Sequence, residues 1–220
     1  HDRLVHGQPL HGLLDVGDLE HEAVAGDRAP VGGLAAGLHT LRDAQRLIEL
    51  GAYRIRGGRI VDKFLSLVNP EIPIPRFVAA LTGISNDMVK RAPVFADVAP
   101  RWLDFVSNSV LVAHNAPFDT SFLNHEISRV YPGHRMVNPH LCTVRLSRRA
   151  LPALSNHRLD TIASHFSIPI ISRHRAGSDA LATAEIFILL LTELEETHGI
   201  KDLGAARRFQ FPEVARNLHG

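Results

Sequence analysis

From residue 47 onward, the order of apolar and polar positions predicts regular strands and helices. Two runs of strand-forming residues, over 47–55 and 60–68, flank the turn signal Gly57-Gly58 and predict a β-hairpin. A short apolar run over 109–113 predicts a strand in the buried centre of a sheet. Apolar residues at helical spacing predict helices over residues 86–90, 93–106, 117–130, 159–166 and 178–196.

The order of these elements predicts the class of fold. A hairpin is followed by helices, a strand, another helix and a final run of helices. This order predicts an α/β fold with a mixed central sheet flanked by helices. The Pro-rich stretch over 69–75 is predicted to be a loop, and residues 139–151 show no clear pattern.

The first 39 residues differ from the rest of the chain in composition. They contain only ten residue types, all of which can be encoded by codons that begin with G or C. Two interpretations stay open, namely an abnormal reading of GC-rich DNA and a biased N-terminal extension. We therefore predict an atypical N-terminal segment over residues 1–36, a folded domain over 37–200 and a C-terminal tail over 201–220.

The overall composition limits the classes of protein. Cys142 is the single cysteine of the 220 residues, which excludes a disulfide framework within the chain and a Cys-rich zinc site. The formal net charge of +1 gives no global basic field. The longest apolar run has six residues, over 186–191, whereas a membrane-spanning helix needs about 20. Since the first residues also lack a signal-peptide pattern, we expect a cytoplasmic protein that does not enter a membrane.

Two acidic residues occupy predicted helix starts, where ligand sites of α/β sheets commonly lie. Asp119 follows the strand predicted over 109–113, and Asp179 lies in the first turn of the last long helix. His174 precedes Asp179 by five residues, and an imidazole exchanges protons near neutral pH. Taken one at a time, these residues also fit a simpler interpretation, in which the acids favour the helix dipole and the histidine lies on the surface.

Two segments together resemble a known family. Residues 114–123 (HNAPFDTSFL) and 174–187 (HRAGSDALATAEIF) resemble the second and third motifs of the DEDDh 3′→5′ exonucleases, which include the proofreading epsilon subunit of bacterial DNA polymerase III and ribonuclease T. Three more segments are similar to the family in the same order, and they are residues 47–60 (LIELGAYRIRGGRI), 68–89 (VNPEIPIPRFVAALTGISNDMV) and 154–168 (LSNHRLDTIASHFSI). The resemblance covers about residues 37–196.

This resemblance implies a ribonuclease-H-like fold and the removal of nucleotides from the 3′ ends of DNA or RNA. It implies two divalent metal ions, Mg²⁺ or Mn²⁺, which stabilise the charge that develops on the phosphate and on the leaving oxygen. Asp119 and Asp179 would be metal ligands, and His174 would be the base that takes a proton from water.

The resemblance also implies substrate contacts and partners. Asn115 and Phe118 would shape the pocket, and Thr82 with its neighbours would lie against the terminal nucleotide. A single-stranded DNA or RNA 3′ end is the implied substrate, and a DNA polymerase subunit is an implied partner.

The first motif of the family, Asp-x-Glu-Thr-Thr-Gly, is not matched. Gly32 stands where the Asp is expected and Leu34 where the Glu is expected, and neither side chain binds a metal. Asp18 and Glu20 have the right spacing but lie 14 residues too early. Two alternatives therefore stay open. The chain could be a catalytically impaired module that binds nucleic-acid ends or a polymerase, or a fold used only for protein contacts.

Two basic segments have no specific pattern. Arg145, Arg148 and Arg149 could contact phosphates, although a solvated face is the preferred interpretation. Residues 207–211 (RRFQF) could dock a partner.

Overall fold

The computed structural model describes residues 33–41, 46–170 and 174–211. The strands of these ranges are β1 (Gly33–Leu41), β2 (Arg46–Arg56), β3 (Arg59–Leu67), β4 (Leu111–Ala113) and β5 (His140–Cys142). The helices are α1 (Arg76–Thr82), α2 (Asn86–Val89), α3 (Phe95–Val106), α4 (Ala116–Val130), α5 (Thr143–Ala150), α6 (Leu159–His165), α7 (Ala176–His198) and α8 (Leu203–Phe209).

The strands form one mixed sheet in the order β3-β2-β1-β4-β5. β1 is antiparallel to β2 and parallel to β4, and β4 is parallel to β5. Gly57 and Gly58 join β2 to β3 with φ values of 56° and 70°, a left-handed conformation that glycine adopts without steric cost. The predicted hairpin and the predicted α/β class with a mixed sheet are confirmed.

Helices cover both faces of this sheet. Leu111 and Val112 are adjacent in β4, so their side chains point to opposite faces. Leu111 packs in one buried cluster with Trp102 of α3 and Leu123 of α4. Val112 packs in a second cluster with Phe187 of α7. Burial on both faces explains why β4 is entirely apolar. None of the described helices is long and apolar enough to cross a membrane.

The first strand begins before the boundary that composition predicted at residue 37. β1 starts at Gly33 and lies between β2 and β4, with Ala36 opposite Ala113 and Gly37 opposite Gly51. Residues 33–36 therefore belong to the sheet, which corrects the predicted boundary, and residues 1–32 lie outside the described part of the chain. Backbone hydrogen bonds do not depend on side-chain type, so an argument from composition cannot detect them.

The segment predicted as a C-terminal tail also begins inside the fold. Asp202 caps α8, because its carboxylate accepts a hydrogen bond of 2.7 Å from the backbone N–H of Ala205. Gln210 donates to the carbonyl of His140 at 3.1 Å and accepts from the N–H of Cys142 at 2.9 Å. These bonds tie α8 to β5, so residues 201–211 extend the predicted domain, and residues 212–220 lie outside the described part.

Candidate active site

A sharp turn at residues 114–115, here called the corner, joins β4 to α4 and places Asp119 near the C-terminal end of the strand. Asn115 precedes the helix with a φ of 82°, a left-handed conformation that asparagine tolerates better than most residues. Pro117 lies in the first turn, where its missing N–H has no partner to lose. Asp119 follows in the same turn, where the helix dipole favours a negative charge.

The carboxylate of Asp119 is buried without a positive partner among the described residues. Asp119 is only 9% exposed. Burial raises the pKa of Asp119 from 3.8 to about 7, and a hydrogen bond from its own backbone N–H opposes this shift. A cation next to this carboxylate would favour the charged form, and hard metal ions prefer such oxygen ligands.

The two other buried carboxylates of the described residues are held by arginines. Glu49 of β2 forms a salt bridge of 2.7 Å with Arg175. Glu126 of α4 forms one of 3.1 Å with Arg129 and lies 3.7 Å from the guanidinium of Arg46. Both glutamates therefore hold the fold together, and neither is free to replace a missing metal ligand.

The start of α7 is fixed against β2. Glu49 accepts hydrogen bonds from the Nε of Arg175 at 3.0 Å, from its Nη2 at 2.7 Å and from the N–H of Ala176 at 2.7 Å. Gly51 allows a close approach, because a Cβ there would lie 2.7 Å from the carbonyl carbon of Ala176. This anchor explains why α7 begins at Ala176 rather than at residue 178 as predicted.

His174 and Asp179 flank this anchor. His174 is exposed and directly precedes Arg175, with a left-handed φ of 60°. Asp179 is half-buried in the first turn of α7, and its N–H donates to the carbonyl of Arg175 at 2.9 Å. The salt bridge of Arg175 therefore sets the position of the backbone at His174 and at Asp179.

The pairing of β1 with β2 and β4 shows where the starts of α4 and α7 lie relative to each other. Ala36 lies opposite Ala113, the last residue of β4 before the corner that leads to α4. Gly37, the next residue of β1, lies opposite Gly51, on which the first turn of α7 packs. The helix starts that hold the two predicted acids are therefore at the same edge of the sheet. Position 34, where the resemblance expects a glutamate, is two residues from Ala36 along the same strand.

The residues predicted to contact the substrate lie in different settings. Asn115 is exposed at the corner, and Phe118 is half-buried in the first turn of α4. Thr82 is buried at the end of α1, where its hydroxyl donates to the carbonyl of Val78 at 2.8 Å and accepts from the N–H of Ile84 at 3.1 Å. The hydroxyl of Thr82 is thus used by the fold, and the three substrate contacts stay predictions.

Sequence reasoning missed the role of Glu49 at this site. The available signal was one acidic residue within the apolar run over 47–52 and an arginine directly after His174. Neither is specific alone, because Glu49 and Arg175 are 126 residues apart along the chain and only the fold brings them together.

Sequence reasoning also missed a neutral histidine beside the corner. The Nδ1 of His114 lies 2.9 Å from the hydroxyl of Thr143, the first residue of α5. Burial lowers the pKa of His114 from 6.5 to about 4, and the negative charge of Asp160 opposes this shift. The contact links the end of β4 to the start of α5.

The described residues do not by themselves fit a two-metal site. Within residues 46–170 and 174–211, no group of three or more His, Cys, Asp or Glu side chains is placed to hold a metal ion. Asp119 and Asp179 offer oxygen ligands of the right chemistry, but the resemblance implies four acids. Gly32, Asp18 and Glu20 lie outside the described residues.

Comparison with known families decides the class of protein. Residues 35–187 match the RNase T exonuclease family. The chain belongs to this exonuclease family. The match extends over α4 and α7 with their predicted site residues, and it confirms the resemblance that the second and third motifs suggested.

Relatives of this exonuclease domain belong to DNA polymerase III. The chain is 45% identical over 167 residues to a PolC-type DNA polymerase III from Caldanaerobacter subterraneus subsp. tengcongensis, an alignment that covers 76% of this chain but 12% of that protein. It is 38% identical over 168 residues to the DNA polymerase III subunit epsilon of Aquifex aeolicus, covering 76% of this chain and 83% of that protein.

A solved exonuclease shares the fold. The structure of Exonuclease X in complex with 5′ overhanging duplex DNA superposes with a TM-score of 0.63 at 24% identity, covering 81% of this chain and 99% of that one. This likeness confirms the predicted ribonuclease-H-like fold. None of these comparisons favours a non-catalytic module over an exonuclease domain.

Proposed function

We propose that this exonuclease domain removes nucleotides one at a time from the 3′ end of single-stranded DNA. The observation that supports it is the placement of Asp119 and Asp179 at one edge of the sheet, with His174 next to the anchored start of α7. DNA is proposed rather than RNA because the relatives at 45% and 38% identity are named as DNA polymerase III proteins.

The proposed roles follow from the demands of phosphodiester hydrolysis. The attacking water must lose a proton, and we assign this proton to His174, whose imidazole is exposed. Asp119 and Asp179 are proposed ligands for divalent ions, Mg²⁺ or Mn²⁺, which when bound stabilise the charge on the phosphate oxygens. The remaining ligands must come from outside the described residues, where Asp18 and Glu20 have the required spacing.

The proposed substrate suggests a partner and a location. A proofreading nuclease acts where a polymerase leaves a 3′ end, so a DNA polymerase subunit is the proposed partner of this domain. The cytoplasm is the proposed compartment, in agreement with a single cysteine that needs no oxidising environment.

A direction assay tests this proposal. Single-stranded DNA labelled at its 5′ end is incubated with the protein and Mn²⁺, beside a matched RNA strand and a DNA strand whose 3′ end is blocked. We expect a ladder of 5′-labelled products that shorten one nucleotide at a time, slower cleavage of RNA and no cleavage of the blocked strand. Internal cuts, or immediate release of the labelled 5′ nucleotide, would contradict the proposal.

A further inference from the structure

Arginines of α5 and α8 meet on one surface of the protein. The guanidinium of Arg145 lies 4.8 Å from the ring centre of Phe211, and that of Arg149 lies 4.6 Å from the ring centre of Phe209. These stacking contacts hold the end of α8 against α5. Phe209 and Phe211 of the segment over 207–211 therefore pack on α5 of the same domain.

This surface carries positive charge that no salt bridge between described residues neutralises. We define it by Arg145, Arg148, Arg149 and Arg207 and call it the α5–α8 arginine surface. Arg148 and Arg207 are exposed. The salt bridges between described residues use other arginines.

Burial and the positive charges of these arginines lower the pKa of two histidines. Burial lowers the pKa of His140 in β5, and the positive charges of Arg145 and Arg207 lower it further. Burial and the charge of Arg148 lower the pKa of His157. Arg145 and Arg207 therefore lie around one histidine, although they belong to different helices.

The arginine surface begins at the same sheet edge as the candidate active site. Cys142, the last residue of β5, lies opposite Ala113, the last residue of β4, in a parallel pair. The next residues are in contact, since the Nδ1 of His114 is 2.9 Å from the hydroxyl of Thr143. Arg148 follows Thr143 by five residues, or roughly 7.5 Å along the axis of α5.

We infer that the α5–α8 arginine surface binds phosphates of the single-stranded DNA on the 5′ side of the nucleotide that is removed. This inference rests on the proposed function. A strand whose 3′ end lies at the shared sheet edge can continue along α5, where unpaired guanidinium groups match its negative backbone. The surface would bind any sequence, because it offers charge and no contact to base edges.

A salt series tests this inference on the full chain. Binding of a long single-stranded DNA labelled at its 5′ end is measured by fluorescence anisotropy, in the presence of a chelator, for wild type and for R148Q/R207Q. The control is R56Q/R59Q, which removes two exposed arginines beside the β2–β3 turn. In the sheet order, β2 and β3 lie on the side away from β5. Each lost phosphate contact reduces the magnitude of the negative slope of log K against log salt by about 0.7 for a single strand.

The expected result for R148Q/R207Q is a slope whose magnitude is smaller by about 1.4, with several-fold weaker binding at low salt. The slope for R56Q/R59Q should be unchanged. Equal slopes in the two variants, or a wild type that does not bind single-stranded DNA, would overturn the inference.

Cleavage rates on a short and a long substrate separate this inference from the proposed function. Hydrolysis of a dinucleotide, which is too short to reach the arginines, should be equal in wild type and R148Q/R207Q, while a long strand is cleaved several-fold more slowly by the variant. An equal fall on both substrates overturns the inference. If even the wild type cleaves neither substrate, the proposed function fails, and the binding series still decides the inference.

Discussion

Glu49 in β2 and Arg175 before α7 form a bidentate salt bridge that fixes the backbone between His174 and the first turn of α7. The carboxylate receives hydrogen bonds of 3.0, 3.2 and 2.7 Å from the guanidinium and a fourth of 2.7 Å from the N–H of Ala176. Because His174 adopts a left-handed φ of 60° immediately before Arg175, this pair also holds an unfavourable backbone conformation. Glu49 is therefore a positioning residue.

Replacing Glu49 should lower both stability and catalysis. Glu49→Ala leaves Arg175 without its partner, and we expect a loss of about 2 kcal/mol in the free energy of unfolding, because solvent screens part of the charge. We also expect kcat to fall more than KM rises, since His174 loses its position rather than the substrate its contacts. Urea unfolding and steady-state kinetics measure the two effects.

The matched control for this variant is Glu71→Ala. Glu71 pairs with Arg46 but is exposed, so its removal should cost less than about 1 kcal/mol and leave kcat unchanged. Equal kcat values for the two variants would contradict the positioning role of Glu49.

Removing a proposed metal ligand should abolish cleavage without unfolding the protein. Asp179→Asn keeps the shape of the side chain but removes its charge, and we expect the metal-dependent rate to fall by more than about 100-fold. The control is Asp97→Asn, because Asp97 also lies in the first turn of a helix but is exposed on α3. Circular dichroism checks the fold, and unchanged cleavage by Asp179→Asn would refute its assignment.

The contact between β2 and α7 leaves no room for a side chain at Gly51. In Gly51→Ala, the new Cβ would lie 2.7 Å from the carbonyl oxygen of Ala176 and 2.8 Å from the nitrogen of Gly177, both backbone atoms. We expect a destabilisation of about 1–3 kcal/mol together with loss of activity. Gly57→Ala changes only the turn conformation, so it should spare catalysis, and a fully active Gly51→Ala would show that α7 does not need this approach.

The buried His114 should make stability depend on pH. Since its pKa falls from 6.5 to about 4 on folding, the unfolded chain binds a proton more readily between these values. The contribution of neutral His114 is therefore complete above pH 6.5 and is lost as the pH falls to 4, by up to about 3 kcal/mol. The raised pKa of Asp119 acts in the opposite direction over the same range.

Comparison with His114→Gln isolates this effect, because Asp119 contributes equally to both proteins. Urea unfolding at several pH values should show that wild type loses more stability than the variant as the pH falls below 6.5. Parallel curves for wild type and variant would show that His114 is not the group responsible.

The sequence predicted those elements whose side chains repeat with a clear period. α4 and α7 have apolar stripes, so their existence was predictable, and the motifs at their starts identified Asp119, His174 and Asp179 as site candidates. β5 and α5 were not predicted, because a strand of three residues joined to a helix of eight shows no usable period. The limits of β1 were not predicted either, because its place between two strands depends on backbone pairing.

The contacts that organise the site were the least predictable part. Glu49 with Arg175 and His114 with Thr143 join residues that are distant along the chain. Single-sequence patterns report local periodicity, so such pairs become visible only in the fold. The first-motif positions, Gly32 and Leu34, follow from the sequence alone, and they leave the source of two acids as the central question for catalysis.

The most direct test of the account is a nuclease assay with the full chain on a 3′-labelled single-stranded DNA, in Mn²⁺, in Mg²⁺ and in a chelator. We expect release of the labelled 3′ nucleotide with either metal and none with the chelator. This result would mean that acids outside the described residues complete the site. A folded protein that binds the strand but releases no nucleotide with either metal would contradict it, and would show that this chain has the scaffold of the family without its chemistry.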